Sequence, residues 1–282
     1  MNEVKLYLNY AGYCYAKESH AIKNGSAHQI KFHALFGLIR HPQQGWILFD
    51  TGYTRRFYAS TRNFPQSIYA GITKVVVTEE DEVKAQLQKS GLTTSDIRHI
   101  IITHFHADHI GGLKDFDQAI IHCSGKAYEE VKKTNSFWGF TRGILKSLIP
   151  GDIDQRISII EEKALPVTDE IFGTAYDLFH DNSLLIYPVP GHAAGQIAVL
   201  LKTSKQFYFL IADACWLKQS YENLLLPNPL VKLFFNSWKD FKSSLHKIHL
   251  FHKANPHILI VPTHCFDTTS KLVSPNLYDH EL

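Results

Sequence analysis

Apolar residues in this chain arrive in short bursts of strand length. VKLYLNY, FHALFGLIR, GWILFD, RHIIIT, AIIHC, LLIYPVP, QIAVLLK, QFYFLIAD and HILIVPT are rich in branched or aromatic residues and are closed by Gly, Pro, Asp, Asn or His. Such runs predict β-strands with at least one buried face. Helical spacing appears between them. TEEDEVKAQLQKSG carries acids in its first turn and Gly91 as a stop, SGKAYEEVKKT follows the fifth run, and SWKDFKSSLHKIHLFHK precedes the last.

Two passages share one plan. FGLIRHPQQGWILFDTG reads as strand, polar turn and strand ending on Asp50, and IAVLLKTSKQFYFLIADA repeats it and ends on Asp213. Two similar halves are therefore expected, each a mixed, mostly antiparallel sheet covered by helices. Stacked face to face they make a four-layer αββα sandwich of the α/β (α+β) class. No low-complexity linker or composition break divides the chain, so one domain spanning residues 1–282 is expected.

Composition narrows the partners more than the fold. The hydrophobic share of 45% and charged share of 20% are those of a globular protein, and the net charge of +2 offers no nucleic-acid-binding surface. No apolar run reaches the roughly 18 residues of a membrane span. NLLLPNPLVKLFFNSW comes nearest, interrupted by two prolines and Lys232. Neither nucleic acid nor membrane is expected as a partner. The N-terminus alternates like a strand and has no unbroken apolar signal core. Cys14, Cys123, Cys215 and Cys265 have no CxxC spacing and read as reduced thiols, which points to the cytoplasm.

The chemistry concentrates in THFHADHIGG, residues 103–112. RHIIIT is a buried-strand pattern, so His104 falls where strand gives way to loop, and two glycines allow a tight fold behind it. In extended backbone His104 and His106 point the same way, while Asp108 and His109 can turn toward a second point. Other strand ends supply partners: PVPGHAAGQ ends on His192, LIADACW on Asp213 and LIVPTHC on His264. If these strands end on one edge, seven N/O donors meet there, too many for one tetrahedral ion. Divided as His104, His106 and His192 against Asp108, His109 and His264, with Asp213 bridging, they make two metal sites. Imidazole and carboxylate without thiolate suit Zn²⁺, with Fe, Mn or Co as alternatives. His246, His249 and His252 read as a helix face, and Cys215 and Cys265 as small packing residues.

These residues resemble the metallo-β-lactamase superfamily. Its HxHxDH hallmark matches His104 to His109, its Asp-Thr-Gly matches Asp50 to Gly52, its Pro-Gly-His matches Pro190 to His192, and its late aspartate and histidine match Asp213 and His264. The resemblance implies the αββα fold with metals at one edge, and an Asp50 that does not ligate but supports the ligating histidines from behind. Within the superfamily the N-acyl homoserine lactonase branch is most similar, on VKLYLNYAGYC and TEEDEVKAQLQKSGLTTSDIRHIIITHFHADHIGG. One departure stands out: Trp216 occupies the position of that branch's tyrosine beside the substrate carbonyl. An indole N–H donates a hydrogen bond but exchanges no proton as a phenol does.

The resemblance implies a dinuclear hydrolase that opens a lactone or related ester through a metal-bridging hydroxide. Asp108 would carry the proton to the leaving alkoxide, and Trp216 is a candidate for the substrate pocket. A glyoxalase II-like thioesterase or a phosphodiesterase uses the same donor set, although no basic motif near the ligands favours a phosphodiester. A non-catalytic binding protein would be expected to lose ligands, and a di-iron redox protein to carry a flavin partner. NSFWGFTRGILKSLIPGD and NLLLPNPLVKLFFNSW are bulky and apolar, and either line an acyl or aromatic pocket or cap the core.

Overall fold

The computed structural model describes residues 1–274 and 276–282, and folds them into two stacked sheets. The first contains β1 (Lys5–Lys17), β2 (Gln29–His41), β3 (Gly45–Phe49), β4 (Lys74–Val76), β5 (Ile97–Ile101), β6 (Ile120–Cys123) and β7 (Ile157–Ile159) in the order β4-β1-β2-β3-β5-β6-β7. The second contains β8 (Leu165–Asp169), β9 (Gly173–Asp177), β10 (Leu184–Pro188), β11 (Ile197–Lys202), β12 (Phe207–Ala212) and β13 (Ile258–Pro262) in the order β13-β12-β11-β10-β9-β8.

All nine apolar runs are strands, and the three helical stretches are helices at Val83–Lys89, Gly125–Lys133 and Trp238–Ala254. Both sheets are mixed. The second is antiparallel except for β12 and β13, as expected. The first is evenly divided, because β3, β5, β6 and β7 run parallel, whereas β4, β1, β2 and β3 pair antiparallel. Parallel neighbours need a crossover, and the Val83–Lys89 and Gly125–Lys133 helices lie within these connections. The strands β4, β7, β8 and β9 carried no clear signal. ISI and KVV are only three residues long, and LPVTD and GTAYD lie at an edge where half the side chains face water.

Alternation along single strands explains the layering. On β12, Phe209 and Ile211 face the Trp238–Ala254 helix with Phe241, Leu245 and Ile248, whereas Tyr208 and Leu210 face the opposing sheet. On β2, Ala34, Phe36 and Leu38 face the first sheet's helices, while Leu35 and Ile39 join the layer between sheets. Three apolar layers result, two under helices and one between sheets. A one-residue slip of β12 would expose the wrong set in both layers at once.

Candidate metal centre

Five strand ends deliver the polar residues to one edge. β3 runs into Asp50, β5 into the His104–His109 loop, β10 into the turn bearing His192, β12 into Asp213 and β13 into His264. Two of the exits turn abruptly: Asp50 (φ 56°) and Ala212 (φ 49°) are left-handed although neither is glycine. Such backbone costs about 1–3 kcal/mol and persists only where surroundings hold it. Asp50 is held by its own N–H to Ile101 O (2.9 Å) and by three bonds to its carboxylate.

The loop after β5 changes character within six residues. His106 is the N-cap of a one-turn helix, Ala107–Ile110, that carries Asp108 and His109 to a second position. Gly111 and Gly112 have ordinary negative φ, so turn freedom is not their purpose here. A Cβ on Gly111 would lie 2.5 Å from Gly52 O, and one on Gly112 would lie 2.8 Å from Thr51 O. The pair lets the helix sit directly on the Asp50–Thr54 loop, where Thr51 N–H and Oγ1 both donate to His109 O.

The seven sequence-nominated donors form two groups. His104, His106 and His192 offer one ligand atom each within 4.8 Å of one another, and Asp108, His109, Asp213 and His264 do the same. Within the first group His192 Nε2 faces His106 Nδ1 at 2.9 Å. Within the second, His264 Nε2 lies 3.1 Å from Asp213 Oδ2 and 3.3 Å from Asp108 Oδ2. Asp213 Oδ2 is also 3.4 Å from His192 Nε2, so this carboxylate faces both groups.

Supporting bonds fix the rings from behind. His109 Nδ1 donates to Asp50 Oδ2 (2.7 Å), and Asp50 accepts from Thr103 N–H (2.9 Å) and Thr103 Oγ1 (2.8 Å). His264 Nδ1 donates to His33 O at 2.9 Å, and the Phe32 ring stacks on His264. Each bond spends one ring nitrogen and turns the other inward. Trp216 donates from Nε1 to Asp213 Oδ2 (3.1 Å) and packs edge-on against His192. Its donor therefore serves the carboxylate.

The electrostatics differ between the groups. Burial, with neighbouring imidazoles adding, holds His104 well below the ordinary histidine range and His192 at about 3, so both rings are neutral. In the second group burial opposes charge, but the carboxylates win. Against that burial cost, Asp213 and Asp108 raise His264 to about 10, and Asp108 and Asp50 raise His109. Asp108 and Asp213, despite their burial, are held well below the usual carboxylate range by His109 and His264.

Buried His104 Nε2, His109 Nε2 and Asp213 Oδ1 have no hydrogen-bond partner. Buried polar atoms without partners cost about 1–3 kcal/mol each, so three on one spot call for a ligand. Imidazoles and carboxylates converging on these atoms fit divalent cations, which would take the place of the protons otherwise held on His109 and His264.

The sequence missed the supports: Thr103, the His33 carbonyl and Gly143, whose added Cβ would lie 2.6 Å from His106 Cδ2. None carries a local signal, because each acts across the fold. His249 is buried and donates from Nδ1 to Tyr221 O (2.7 Å) on the helix face expected for it. The four cysteines are free and buried, and none joins a donor group. The two apolar stretches cap the cores, and each sends residues to a small cleft beside the donors. Ile144, Leu148, Val231 and Phe235 are buried in cores, while Arg142 and Phe234 line a cleft with His106 and His192.

Fold and donor groups together define a metal-dependent hydrolase. The chain belongs to the metallo-beta-lactamase superfamily, whose family model matches residues 32–205. An N-acyl homoserine lactonase from a Bacillus species is 25% identical over 224 residues, covering 79% of this chain and 80% of that protein. A probable metallo-hydrolase of Mycobacterium bovis is 21% identical over 244 residues, covering 80% of this chain and 73% of its own. The fold matches a solved N-acyl homoserine lactone hydrolase, holding the product N-hexanoyl-L-homoserine at its catalytic metal centre, with a TM-score of 0.75 at 19% identity over the whole of both chains.

Proposed function

We propose that this chain opens the ring of a lactone of the N-acyl homoserine type, or cleaves a related ester, with two divalent ions, zinc foremost among zinc, iron, manganese and cobalt. The observation that carries this reading is the convergence of seven donors into two adjacent groups that share Asp213. The lactonase relatives and a dizinc quorum-quenching lactonase of similar fold (TM-score 0.64, 16% identity, 94% of this chain and 88% of that one) support it.

His104, His106 and His192 would hold one ion, and Asp108, His109 and His264 the other, with Asp213 between them. Such ions, when bound, acidify a water molecule and polarise a carbonyl. The protein's own residues supply the rest. Asp50 keeps the proton of His109 on Nδ1 and so keeps Nε2 inward. Asp108 takes the proton released by the attacking water and returns it to the leaving alkoxide. Trp216, its single donor engaged by Asp213 and its ring packed between Phe32, His192 and Phe235, holds the carboxylate and exchanges no proton. Residues 1–282 act as one domain, because the site needs strand ends from both sheets.

The test is a parallel screen of metal-replete protein. N-acyl homoserine lactones and simple γ-lactones are expected to turn over above background, while S-acylglutathione and bis-aryl phosphate are not. Turnover confined to the thioester or the phosphodiester would reassign the substrate, and turnover of none would remove the ester-hydrolase reading.

A further inference from the structure

The cleft beside His106 and His192 is flanked by two exposed apolar patches. On one side the segment 224–238 presents Leu230 (75% exposed), Leu233 (86%) and Phe234, the last lining the cleft itself. On the other side Trp138 (60%) and Phe137 lie on the segment whose Arg142 and Ile144 line the same cleft. Phe64 (73%) joins this second patch across a 6.2 Å ring contact with Phe137, and Gln66 Nε2 ties the two segments by donating to Ser136 O. Single exposed apolar side chains are ordinary, but large ones gathered on two sides of one opening mark an interaction surface.

Charge identifies the partner. Residues 57–73, 136–149 and 224–238 hold four of the 29 basic residues, Arg62, Arg142, Lys146 and Lys232, and none of the 27 acidic ones. Of these four only Arg142 is in an ion pair, with Glu130 at 3.3 Å. Glu130 lines the same cleft and neutralises Arg142, so the rim keeps an excess of three basic residues, Arg62, Lys146 and Lys232, on a nearly neutral protein. A second copy docking rim to rim would bring like charges together over desolvated apolar surface. An anionic lipid surface satisfies both features: apolar side chains enter the acyl boundary while Lys and Arg meet headgroup phosphates.

We propose that this rim docks the protein on an anionic membrane surface, with the metal cleft facing the bilayer. The chain then takes its substrate from the lipid phase, where amphiphiles with acyl chains partition. This amends the sequence expectation that no membrane is a partner. Among the described residues no helix is long and apolar enough to cross a membrane, and docking needs none. The docking does not rest on the lactonase reading, since it is read from the rim alone; the lipid-phase supply of an acyl-bearing substrate does rest on it.

The experiment is co-sedimentation of the full chain with vesicles of phosphatidylcholine containing phosphatidylglycerol, against vesicles of phosphatidylcholine alone. Binding is expected to the anionic vesicles, to weaken as salt rises, and to fall by at least about tenfold in Leu230→Glu/Leu233→Glu, since both rim side chains lose their transfer to the apolar boundary. Brominated phosphatidylglycerol vesicles are expected to quench tryptophan emission in the parent and to quench it less in Trp138→Phe. These side chains are exposed, so unchanged melting temperatures verify the fold. Absent or equal binding to the two vesicle types would overturn the proposal, as would a double variant that binds like the parent. A concentration-dependent dimer abolished by the same substitutions would assign the rim to a second copy instead.

Discussion

Asp50 is fully buried and touches no substrate-facing surface, yet its loss should be read out at the metals. Three donors converge on its carboxylate: His109 Nδ1 at 2.7 Å, Thr103 N–H at 2.9 Å and Thr103 Oγ1 at 2.8 Å. Asn in its place keeps one carbonyl oxygen. The other position becomes an amide nitrogen, so at least one donor is left buried without an acceptor, at about 1–3 kcal/mol. If that donor is His109, the ring loses its anchor and the preference for an inward Nε2. Supporting partners of metal-bound histidines are worth about 10–100-fold in affinity, or about 1.4–2.7 kcal/mol. The loss should be larger at the second group, whose His109 bonds Asp50 directly, than at the first, which Asp50 reaches only through Thr103 Oγ1, 3.1 Å from His104 Nδ1. Titrating metal-free Asp50→Asn with zinc against a chromogenic chelator should show one weakened site and one near the parent's affinity. Equal weakening of both, or of neither, would refute the direct support of His109 by Asp50.

Asp108→Asn should retain the fold and lower ester turnover by about 10²–10⁴-fold, the usual worth of a positioned proton carrier; unchanged turnover at full metal loading would end that role. Trp216→Phe removes the bond to Asp213 Oδ2 but keeps the ring, so kcat should drop by less than about tenfold, about 1 kcal/mol, in steady-state assays. A larger loss would mean that the indole N–H also meets substrate. Away from the site, burial and then the neighbouring His99 hold His122 at about 3, below the ordinary 6.5. The unfolded chain therefore binds a proton there between those values and the folded one does not. Stability present above pH 6.5 is lost as pH falls toward 3, with a slope of about 1.4 kcal/mol per pH unit from this group. Urea unfolding of metal-free His122→Leu between pH 7 and 4.5 should have a shallower pH dependence than the parent, and an equal slope would contradict the cause assigned.

Much of this protein is decided locally. The strand-length bursts forced nine strands, because branched and aromatic residues closed by turn formers have little else to build. Alternation in FYFLIA and FHALFGLIR already specified two-sided burial, hence the layers. The donor set was legible as well, since a His-Asp cluster at a strand end, with further His and Asp at other strand ends, has a chemical signature independent of geometry. Tertiary structure decided the rest. That His192 Nε2 sits 3.4 Å from Asp213 Oδ2 is a matter of which strand ends meet, and β10 and β12 are not even adjacent in their sheet. The His33 carbonyl and Gly143 act through space on rings far along the chain, and Thr103 on the distant Asp50 carboxylate, so no pattern around them announces it. The parallel half of the first sheet has the same cause. Strand direction is set by where a crossover packs, which is a property of the assembled layers and not of any run within them.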